Sequence, residues 1–294
     1  MPHNQIHLCS VLDSNFLLKG LTLYESIKAN HPNFRLHLLC LDENAYINAL
    51  RFQNANLVVY TVSSFLAKEP KLQKHRQTNY NYFCWCLASY FSEILLKDGK
   101  PSITYVDSDV FFHRDIAVIF DEIKDSDIGV FRHRMFNLNE NHPEGLFNVG
   151  VVYFRNTNLG ANSLKWWSDS VLNQRYPHLA TCGDQKYLDA FYSNCRHGLF
   201  IDGEIGHGAP WHWQLYDLSN YEIDGTIGWN GKKQNLVFTH FSQFYIDRLN
   251  LKYIPSTAHY NYTPLSLYAE NRALKGIYDS YLERLLATAS YYNI

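Results

Sequence analysis

The stretch Ser102–Phe112 is apolar and β-prone except for two aspartates, Asp107 and Asp109, which stand one residue apart. Burying two carboxylates in an apolar strand costs several kcal/mol each unless a cation or strong donors compensate. At the carboxyl end of a strand in a parallel sheet, both carboxylates can face one divalent ion. Oxygen ligands suit Mg²⁺ or Mn²⁺, which complete their shells with water and substrate phosphates. The pattern therefore predicts a diphosphate bound through a metal, with a turn or a helix cap as the alternative explanation of the aspartates.

Strands and helices alternate from the start of the chain. This order predicts an α/β fold with a parallel, right-handed, doubly wound sheet. Strands are predicted at 6–12, 34–41, 57–62, 102–106, 128–131, 148–154 and 236–240. Helices are predicted at 17–28, from 42, and at 79–97, 116–124, 164–173 and 186–192, with a basic linker at 71–77 and a helical tail at 264–294.

Composition limits the class of protein. The length of 294 residues allows one large domain or two small ones, and the hydrophobic fraction of 46% indicates a globular chain. The net charge of -2 gives no electrostatic reason to expect a nucleic-acid partner. An aromatic fraction of 16% favours sugar-stacking surfaces, although an ordinary place in the core or on the surface explains any single tyrosine better.

Six cysteines, at 9, 40, 84, 86, 182 and 195, lack metal-type pairs, so we expect reduced thiols. Neither a secretory signal nor a run of about 18 apolar residues occurs. These observations predict a cytoplasmic protein. They leave open a peripheral contact of the tail with the inner face of the membrane.

Several polar residues follow predicted strands or begin helices. Asp13 follows the first strand and either contacts a nucleoside or caps the next helix. Arg76 is a candidate phosphate contact, and Asn148 suits a ligand rich in hydroxyls. Gly150 allows close backbone approach. The segment 203–231, with its glycines and indoles, predicts an irregular loop over a ligand.

Three further side chains have a plain structural explanation. Asp184 and Gln185 are good caps for the helix that follows them. His240, at the end of a strand, is more typical of a core histidine than of a ligand when it is considered alone.

Four motifs in this order resemble the glycosyltransferases of the GT-A fold: Tyr105–Phe112, Phe147–Phe154, Gly183–Asp189 and His240–Ser242. The segments Leu8–Asn15, Gly20–Ser26 and Gly206–Trp211 resemble a bacterial, polysaccharide-type branch related to glycosyltransferase family 8. The similarity covers residues 5 to 245 and leaves the tail unmatched.

This resemblance implies a single mixed, mainly parallel doubly wound sheet with helices on both faces. It implies a GT-A catalytic domain at 1–250 and a helical extension at 251–294. In such a fold a nucleotide-sugar donor is bound, and Asp107 and Asp109 hold Mn²⁺ or Mg²⁺ on its diphosphate. The resemblance also makes His240 the third metal ligand.

The resemblance implies further roles by position. Asp184 and Gln185 would lie at the reacting centre, with Asn148 beside the sugar and acceptor as a third catalytic candidate. The donor-binding residues would be Cys9, Ser10, Asp13, Arg76, Asp107, Ser108, Gly150, Gly208, Ala209 and Pro210. Asp13 and the backbone around Cys9 and Ser10 would face the base and ribose, and Gly208 to Trp211 the diphosphate.

One departure from the family pattern stands out. Family 8 usually follows its histidine with glycine and later with Lys-Pro-Trp, whereas Phe241–Tyr245 follows here. The phosphate contact of that lysine therefore has no counterpart at this position.

The sequence thus predicts a metal-dependent transfer of a hexose, with a UDP-sugar favoured, to a glycan, a lipid-linked saccharide or another hydroxyl acceptor, with retention of configuration. The main alternative is a non-catalytic carbohydrate- or nucleotide-binding protein of the same fold. A nucleotidylyltransferase would need a glycine-rich basic loop after the first strand, which residues 10–15 do not supply. A glycosidase would need two carboxylates flanking a cleft, a geometry that sequence alone does not exclude.

Overall fold

The computed structural model describes residues 5–135, 138–139, 141–194, 198–200, 205–247, 252–255 and 262–294. Three sequence predictions fall outside this part of the chain: the thiol of Cys195, the glycine at 203, and the domain boundary between residues 250 and 251. The division at that boundary stays a prediction.

The amino-terminal half alternates strands and helices as predicted. Its elements are β1 (Ile6–Leu12), α1 (Leu17–Asn30), β2 (Phe34–Cys40), α2 (Glu43–Leu50), β3 (Leu57–Thr61), α3 (Ser63–Leu66), α4 (Pro70–Thr78), α5 (Tyr80–Lys97), β4 (Ser102–Val106), β5 (Val110–Phe112), α6 (Ala117–Ile123) and β6 (Ile128–Arg132).

The remaining elements include short strands that the sequence did not predict. They are β7 (Phe147–Arg155), α7 (Asn158–Leu172), α8 (Asp189–Asn194), β8 (Gly198–Phe200), β9 (Ile205–Gly208), α9 (Tyr221–Asp224), β10 (Thr226–Trp229), β11 (Lys232–His240), β12 (Tyr245–Asp247), β13 (Lys252–Ile254), α10 (Leu265–Glu270) and α11 (Arg272–Tyr292).

The central sheet has the strand order β3-β2-β1-β4-β7-β6-β8 among the described residues. Strands β1 to β4 are mutually parallel, whereas β7 runs antiparallel to both of its neighbours. This confirms the predicted mixed, mainly parallel sheet. From β1 the chain adds β2 and β3 on one side of the sheet, and it then continues with β4 on the other side of β1. Ligands of open α/β sheets bind at the carboxyl ends of the two strands where the order changes side in this way.

Both faces of this sheet are covered by helices, as expected for a doubly wound fold. Leu36 and Leu38 of β2 belong to the core that includes α1 and α6. Leu39 points to the opposite core, where Phe91 of α5 and Trp167 of α7 are fully buried. Strands buried on both faces read as nearly continuous apolar runs, which is why the first three were recognisable from sequence.

A second sheet begins where β4 ends. It contains β10, β11 and β5 in antiparallel order, with β9 parallel to β11. The turn Asp107–Asp109 connects β4 to β5 and therefore connects the two sheets. The amide of Asp107 donates to the carbonyl of Gly150 at 3.0 Å, and the amide of Phe241 donates to the carbonyl of Asp109 at 2.9 Å. These bonds hold the turn against a neighbouring strand of each sheet.

Two local predictions were wrong. The basic segment 71–77 is not a linker but part of α4, whose start has Glu69 as cap and Pro70 in the first turn. The segment predicted as an irregular loop contains β9 and β10. Gly206 and Gly208 lie in β9, at positions where a side chain would not fit. A Cβ at Gly206 would lie 2.5 Å from the carbonyl of Asn235, and a Cβ at Gly208 would lie 2.1 Å from the ring of Trp213.

The helical tail packs on the body of the protein. Tyr281 of α11 is buried and stacks face to face on Phe241 at a centroid distance of 3.8 Å. Near the end of α11, the hydroxyl of Tyr292 donates to Glu25 of α1. Within the described residues, no helix is both long enough and apolar enough to cross a membrane.

The stack of Tyr281 on Phe241 gives the first prediction. Tyr281→Ala should lower the free energy of unfolding by about 3–5 kcal/mol, because it leaves a cavity beside Phe241. Tyr281→Phe should be neutral or stabilising, since the buried hydroxyl has no hydrogen-bond partner among the residues that the structure describes. Urea unfolding of both variants measures this, and a destabilised phenylalanine variant would contradict the assignment.

Candidate functional site

Asp107, Asp109 and His240 form one compact group. Each offers one ligand atom, and these atoms all lie within 4.8 Å of one another. The Nε2 atom of His240 lies 3.1 Å from Oδ1 of Asp109 and 3.6 Å from Oδ2 of Asp107. The hydroxyl of Tyr105 donates to the other oxygen of Asp107 at 2.8 Å. The two aspartates come from the turn between the sheets, and His240 comes from the end of β11.

The charges of this group determine its protonation. Although burial raises the pKa of Asp109, His240 and Lys19 outweigh it and lower this pKa to about 2. Burial raises the pKa of Asp107, against the effect of His240. Burial lowers the pKa of His240, but the carboxylates of Asp109 and Asp107 raise it above its ordinary value. The carboxylates therefore favour the protonated imidazole, and a metal ion would have to displace that proton.

Asn148 determines which nitrogen of His240 faces the carboxylates. Its Oδ1 atom accepts from the amide of Gly150 at 2.7 Å and lies 3.2 Å from Nδ1 of His240. An oxygen in this position accepts, so Nδ1 of His240 carries a proton in both charge states. Once deprotonated, Nε2 then offers its lone pair to the space between Asp107 and Asp109, as a metal-binding histidine requires.

Gln185 fixes the orientation of Asn148 in turn. Nε2 of Gln185 donates to the carbonyl of Glu144 at 2.9 Å, which leaves Oε1 to accept from Nδ2 of Asn148 at 3.0 Å. The second proton of Nδ2 points to Nε2 of His133 at 3.3 Å. Every donor and acceptor of the Asn148 amide is used within the protein. Such a saturated network has one consistent arrangement and rigidifies the site.

Gly150 makes this arrangement sterically possible. A Cβ at this position would lie 2.5 Å from Oδ1 of Asn148 and 2.8 Å from Nδ1 of His240. The sequence predicted close backbone approach at Gly150. The groups that approach the backbone there are the side chains of Asn148 and His240.

The group opens into a cleft of about 440 Å³. This volume is within the range of about 300–1,000 Å³ typical of small-molecule sites. The cleft is lined by polar and aromatic side chains from both sheets and from α1 and α5. They include Asp13, Phe16, Lys19, Tyr80, Asn81, Trp85, Tyr105, Asp107, Ser108, Asp109, Asp184, Gln185, His240, Ser242, Gln243 and Tyr245.

Asp184 lies on the wall of the cleft next to an exposed indole. Burial and the charge of Asp107 raise the pKa of Asp184 well above its ordinary value, which favours the protonated form of the carboxyl group. Gly183 has a φ of +57°, and a Cβ there would lie 2.5 Å from the ring of Trp85. Trp85 thus packs against backbone and remains 41% exposed on the cleft.

Asp13 lies on the opposite wall. One of its oxygens accepts from the amide of Asn15 at 2.9 Å, and the other accepts from the hydroxyl of Tyr80 at 3.4 Å. The residue therefore stabilises its own turn and also faces the cleft. It does not cap α1, whose N-cap residue Phe16 has no side-chain cap hydrogen bond, and its contact with a nucleoside stays a prediction. Ser108 is buried in the turn and lines the cleft as well.

Other predicted donor-binding residues lie outside the lining of the cleft. Cys9 and Ser10 are fully buried in β1, where the Cys9 thiol contacts the Ser92 hydroxyl at 3.2 Å. Arg76 donates to the carbonyl of Leu41 at 3.4 Å and lies over the ring of Phe83. The side chains of Cys9 and Arg76 are thus engaged within the protein, and the predicted contacts of all three residues with a donor stay predictions.

Gly208, Ala209 and Pro210 are buried at the end of β9. Gly208 is packed under Trp213, and Ala209 belongs to a small apolar cluster with Met135 and Trp211. None of the three lines the cleft, so the predicted diphosphate contact of this segment also stays a prediction.

The sequence analysis missed several residues of the cleft. Lys19 stands in the middle of an ordinary helix, and nothing in its local pattern indicates a site. Trp85 could have been noticed, since it interrupts the buried face of α5 with an exposed indole. Tyr80 and Asn81 begin the same helix, and Ser242 and Gln243 lie in the segment after His240 that departs from the family pattern.

Comparison with known proteins places this geometry in context. No protein-family model matches the chain. It is 25% identical to the uncharacterized protein YfnF of Bacillus subtilis strain 168 over 259 residues, covering 82% of each chain.

Solved structures similar to this one are glycosyltransferases. The galactosyltransferase LgtC, solved with donor and acceptor sugar analogs, superimposes with a TM-score of 0.56 at 14% identity and covers 81% of this chain and 87% of LgtC. Mouse xyloside xylosyltransferase 1 superimposes with a TM-score of 0.51 at 16% identity and covers 81% of this chain and 98% of its own. The chain has the GT-A glycosyltransferase fold.

In this GT-A fold the residues present fit a divalent metal. Two carboxylates and an imidazole with an orientable lone pair form a mixed oxygen and nitrogen donor set, which suits Mn²⁺ well and also allows Mg²⁺. Asp107, Asp109 and His240 could hold the ion. The face that opens into the cleft leaves room for water and phosphate oxygens to complete the shell.

The orientation of His240 gives the second prediction. Asn148→Ala should weaken Mn²⁺ binding about 10- to 100-fold, because it removes the acceptor that holds Nδ1 of His240. Asn156→Ala is the matched control, since its amide bonds to two carbonyls, those of Leu96 and Lys100. Electron paramagnetic resonance of free Mn²⁺ measures the affinity. Equal affinity in the Asn148 variant and the wild type would refute the positioning role.

Proposed function

We propose that this chain is a metal-dependent glycosyltransferase, a hexosyltransferase that uses a nucleotide-diphosphate sugar, with a UDP-sugar favoured. The acceptor is a hydroxyl of a glycan, a lipid-linked saccharide or another molecule. The observation that carries the proposal is the group of Asp107, Asp109 and His240 on the floor of a cleft in a GT-A fold. The likeness to LgtC supports a branch related to glycosyltransferase family 8.

The chemistry is the departure of a nucleoside diphosphate from an anomeric carbon through an oxocarbenium-like state. The carbon–oxygen bond to the phosphate breaks, and its electron pair goes to the diphosphate. A bound divalent ion acts as a Lewis acid on that charge. Asp107 and Asp109 would hold the ion, and His240, oriented by Asn148, would complete its ligand set. Trp85 offers an open indole face on which a sugar can stack.

Retention of configuration is the stereochemistry that the cleft supports best. Inversion requires a carboxylate base opposite the donor. Apart from the metal-ligand pair, the carboxyl groups on the cleft within the described residues are those of Asp13 and Asp184. Asp13 is hydrogen-bonded in its turn, and burial and the charge of Asp107 raise the pKa of Asp184, which makes its carboxylate form less available as a base. With no ready base, the leaving phosphate takes the proton of the acceptor hydroxyl as the new bond forms on the same face.

The biological setting belongs to the same proposal. The resemblance of the sequence to polysaccharide-type enzymes suggests polysaccharide biosynthesis in the cytoplasm. A lipid-linked acceptor would bring the protein to the inner face of the membrane. The apolar face of α11 packs on the body, so contact with a membrane would use other surfaces of the tail.

Ligand-dependent stability gives the third prediction. One of UDP, GDP, dTDP and CMP should raise the thermal unfolding midpoint only when Mn²⁺ is present. At about 100 times its dissociation constant the ligand adds about 2.7 kcal/mol to the free energy of unfolding. Asp109→Asn should abolish this shift and glycosyl transfer while the unliganded protein stays folded.

The matched control for this variant is Asp98→Asn. Asp98 is exposed and lies beyond α5, at the opposite end of that helix from the cleft. A shift that persists in the Asp109 variant without Mn²⁺ would refute the metal role. Binding of a sugar regardless of nucleotide and metal would favour the non-catalytic binding protein instead.

The fourth prediction concerns the product. The anomeric configuration of the donor should be preserved, as read from the anomeric proton coupling in an NMR spectrum recorded early in the reaction. The physical reason is the missing base on the cleft wall. An inverted product would assign Asp184 as a base and would exclude the retaining course.

A further inference from the structure

Lys19 lies inside the cleft although it comes from the middle of a helix. Its ammonium group is 3.8 Å from Oδ2 of Asp109, and its side chain is 13% exposed. The group also lies over the ring of Phe16, 4.7 Å from the centroid. Helix α1 packs against β5, the strand that follows the turn of Asp109. Lys19 and His240 therefore approach Asp109 from different elements.

With a metal ion bound, the side chains described so far would leave the negative charge of a donor diphosphate uncompensated. Two carboxylates bound to a divalent ion balance its charge, and His240 is neutral when it is a metal ligand. The diphosphate of a donor would then keep its negative charge, which grows as the sugar departs. Of the side chains that line the cleft in the described part of the chain, Lys19 alone is a lysine or arginine.

Other cations near the site are already engaged. Arg76 donates to the carbonyl of Leu41, and Lys186 donates to the carbonyl of His142 at 2.8 Å. The guanidinium of Arg134 is buried and donates to Tyr216 and Gln234 at 3.1 Å and 2.9 Å. The segment after His240 presents the neutral side chains of Ser242, Gln243 and Tyr245 to the cleft.

We propose that Lys19 binds the diphosphate of the donor and stabilises the leaving group, which supplies from α1 the cation that the segment after His240 lacks. This assignment rests on the proposed function. Without ligand, the ammonium group compensates the charge of Asp109. When that carboxylate binds a metal ion, the ammonium can turn to phosphate oxygens beside it without leaving the cleft. The ammonium group acts there through its charge and its three donors.

The test separates the diphosphate from the rest of the nucleotide. Binding of UDP, UMP and uridine is measured by calorimetry at saturating Mn²⁺, or with the same series on another base that the stability screen selects. Lys19→Met should weaken UDP binding about 10- to 100-fold and leave uridine binding unchanged, because one charge-assisted contact is lost. Lys19→Arg should retain most of the affinity. Lys28→Met, on the exposed face of the same helix, is the matched control.

Each outcome decides a separate question. A wild-type protein that binds none of the series would overturn the proposed function and, with it, the role of Lys19. Wild-type binding that persists in Lys19→Met would overturn the Lys19 assignment alone. An equal loss of UDP and uridine binding in that variant would also overturn it, since it would show a structural effect on the cleft.

Discussion

The negative charge of two neighbouring carboxylates is the constraint on which this site depends. Asp107 and Asp109 occupy the turn where the chain leaves the central sheet and enters the second one. A turn with this charge is stable next to a buried strand only if cations approach it. His240 and Lys19 meet that requirement from β11 and α1, elements that are far apart in sequence. The junction of the two sheets is therefore also the place where the fold concentrates its electrostatic interactions.

The hydrogen bonds behind this charged group have a different effect. Asn148 was predicted beside the sugar and acceptor and Gln185 at the reacting centre, and these roles stay predictions. The structure uses the amide of Asn148 entirely within the protein and bonds Gln185 to Glu144. Through hydrogen bonds, the two amides connect the backbone carbonyl of Glu144 to the imidazole of His240. A site preorganised in this way needs little rearrangement when a ligand binds. Gly150 belongs to the same arrangement, because any side chain there would displace it.

Much of the fold could be predicted from local patterns, and the rest depends on contacts distant in sequence. The central strands were recognisable because strands covered on both faces are apolar throughout. Asp107 and Asp109 were recognisable because carboxylates are out of place in such a run. His240 emerged only from the resemblance to a family, since a lone histidine carries no local signal. Lys19 could not be found, because only the packing of α1 against β5 brings it to Asp109. The glycines of β9 suggested a loop, whereas Trp213 and Asn235 require them in a strand.

The contact between α11 and the residue after His240 has a consequence for the order in which the protein forms. Phe241 is covered by Tyr281, and Tyr292 bonds back to Glu25 near the start of the chain. During synthesis, β1 to β4 can begin to pair while the ribosome is still making the second sheet. The support beneath His240 cannot form until α11 has been made. The nascent chain can therefore pair its first four strands before the packing around His240 is complete.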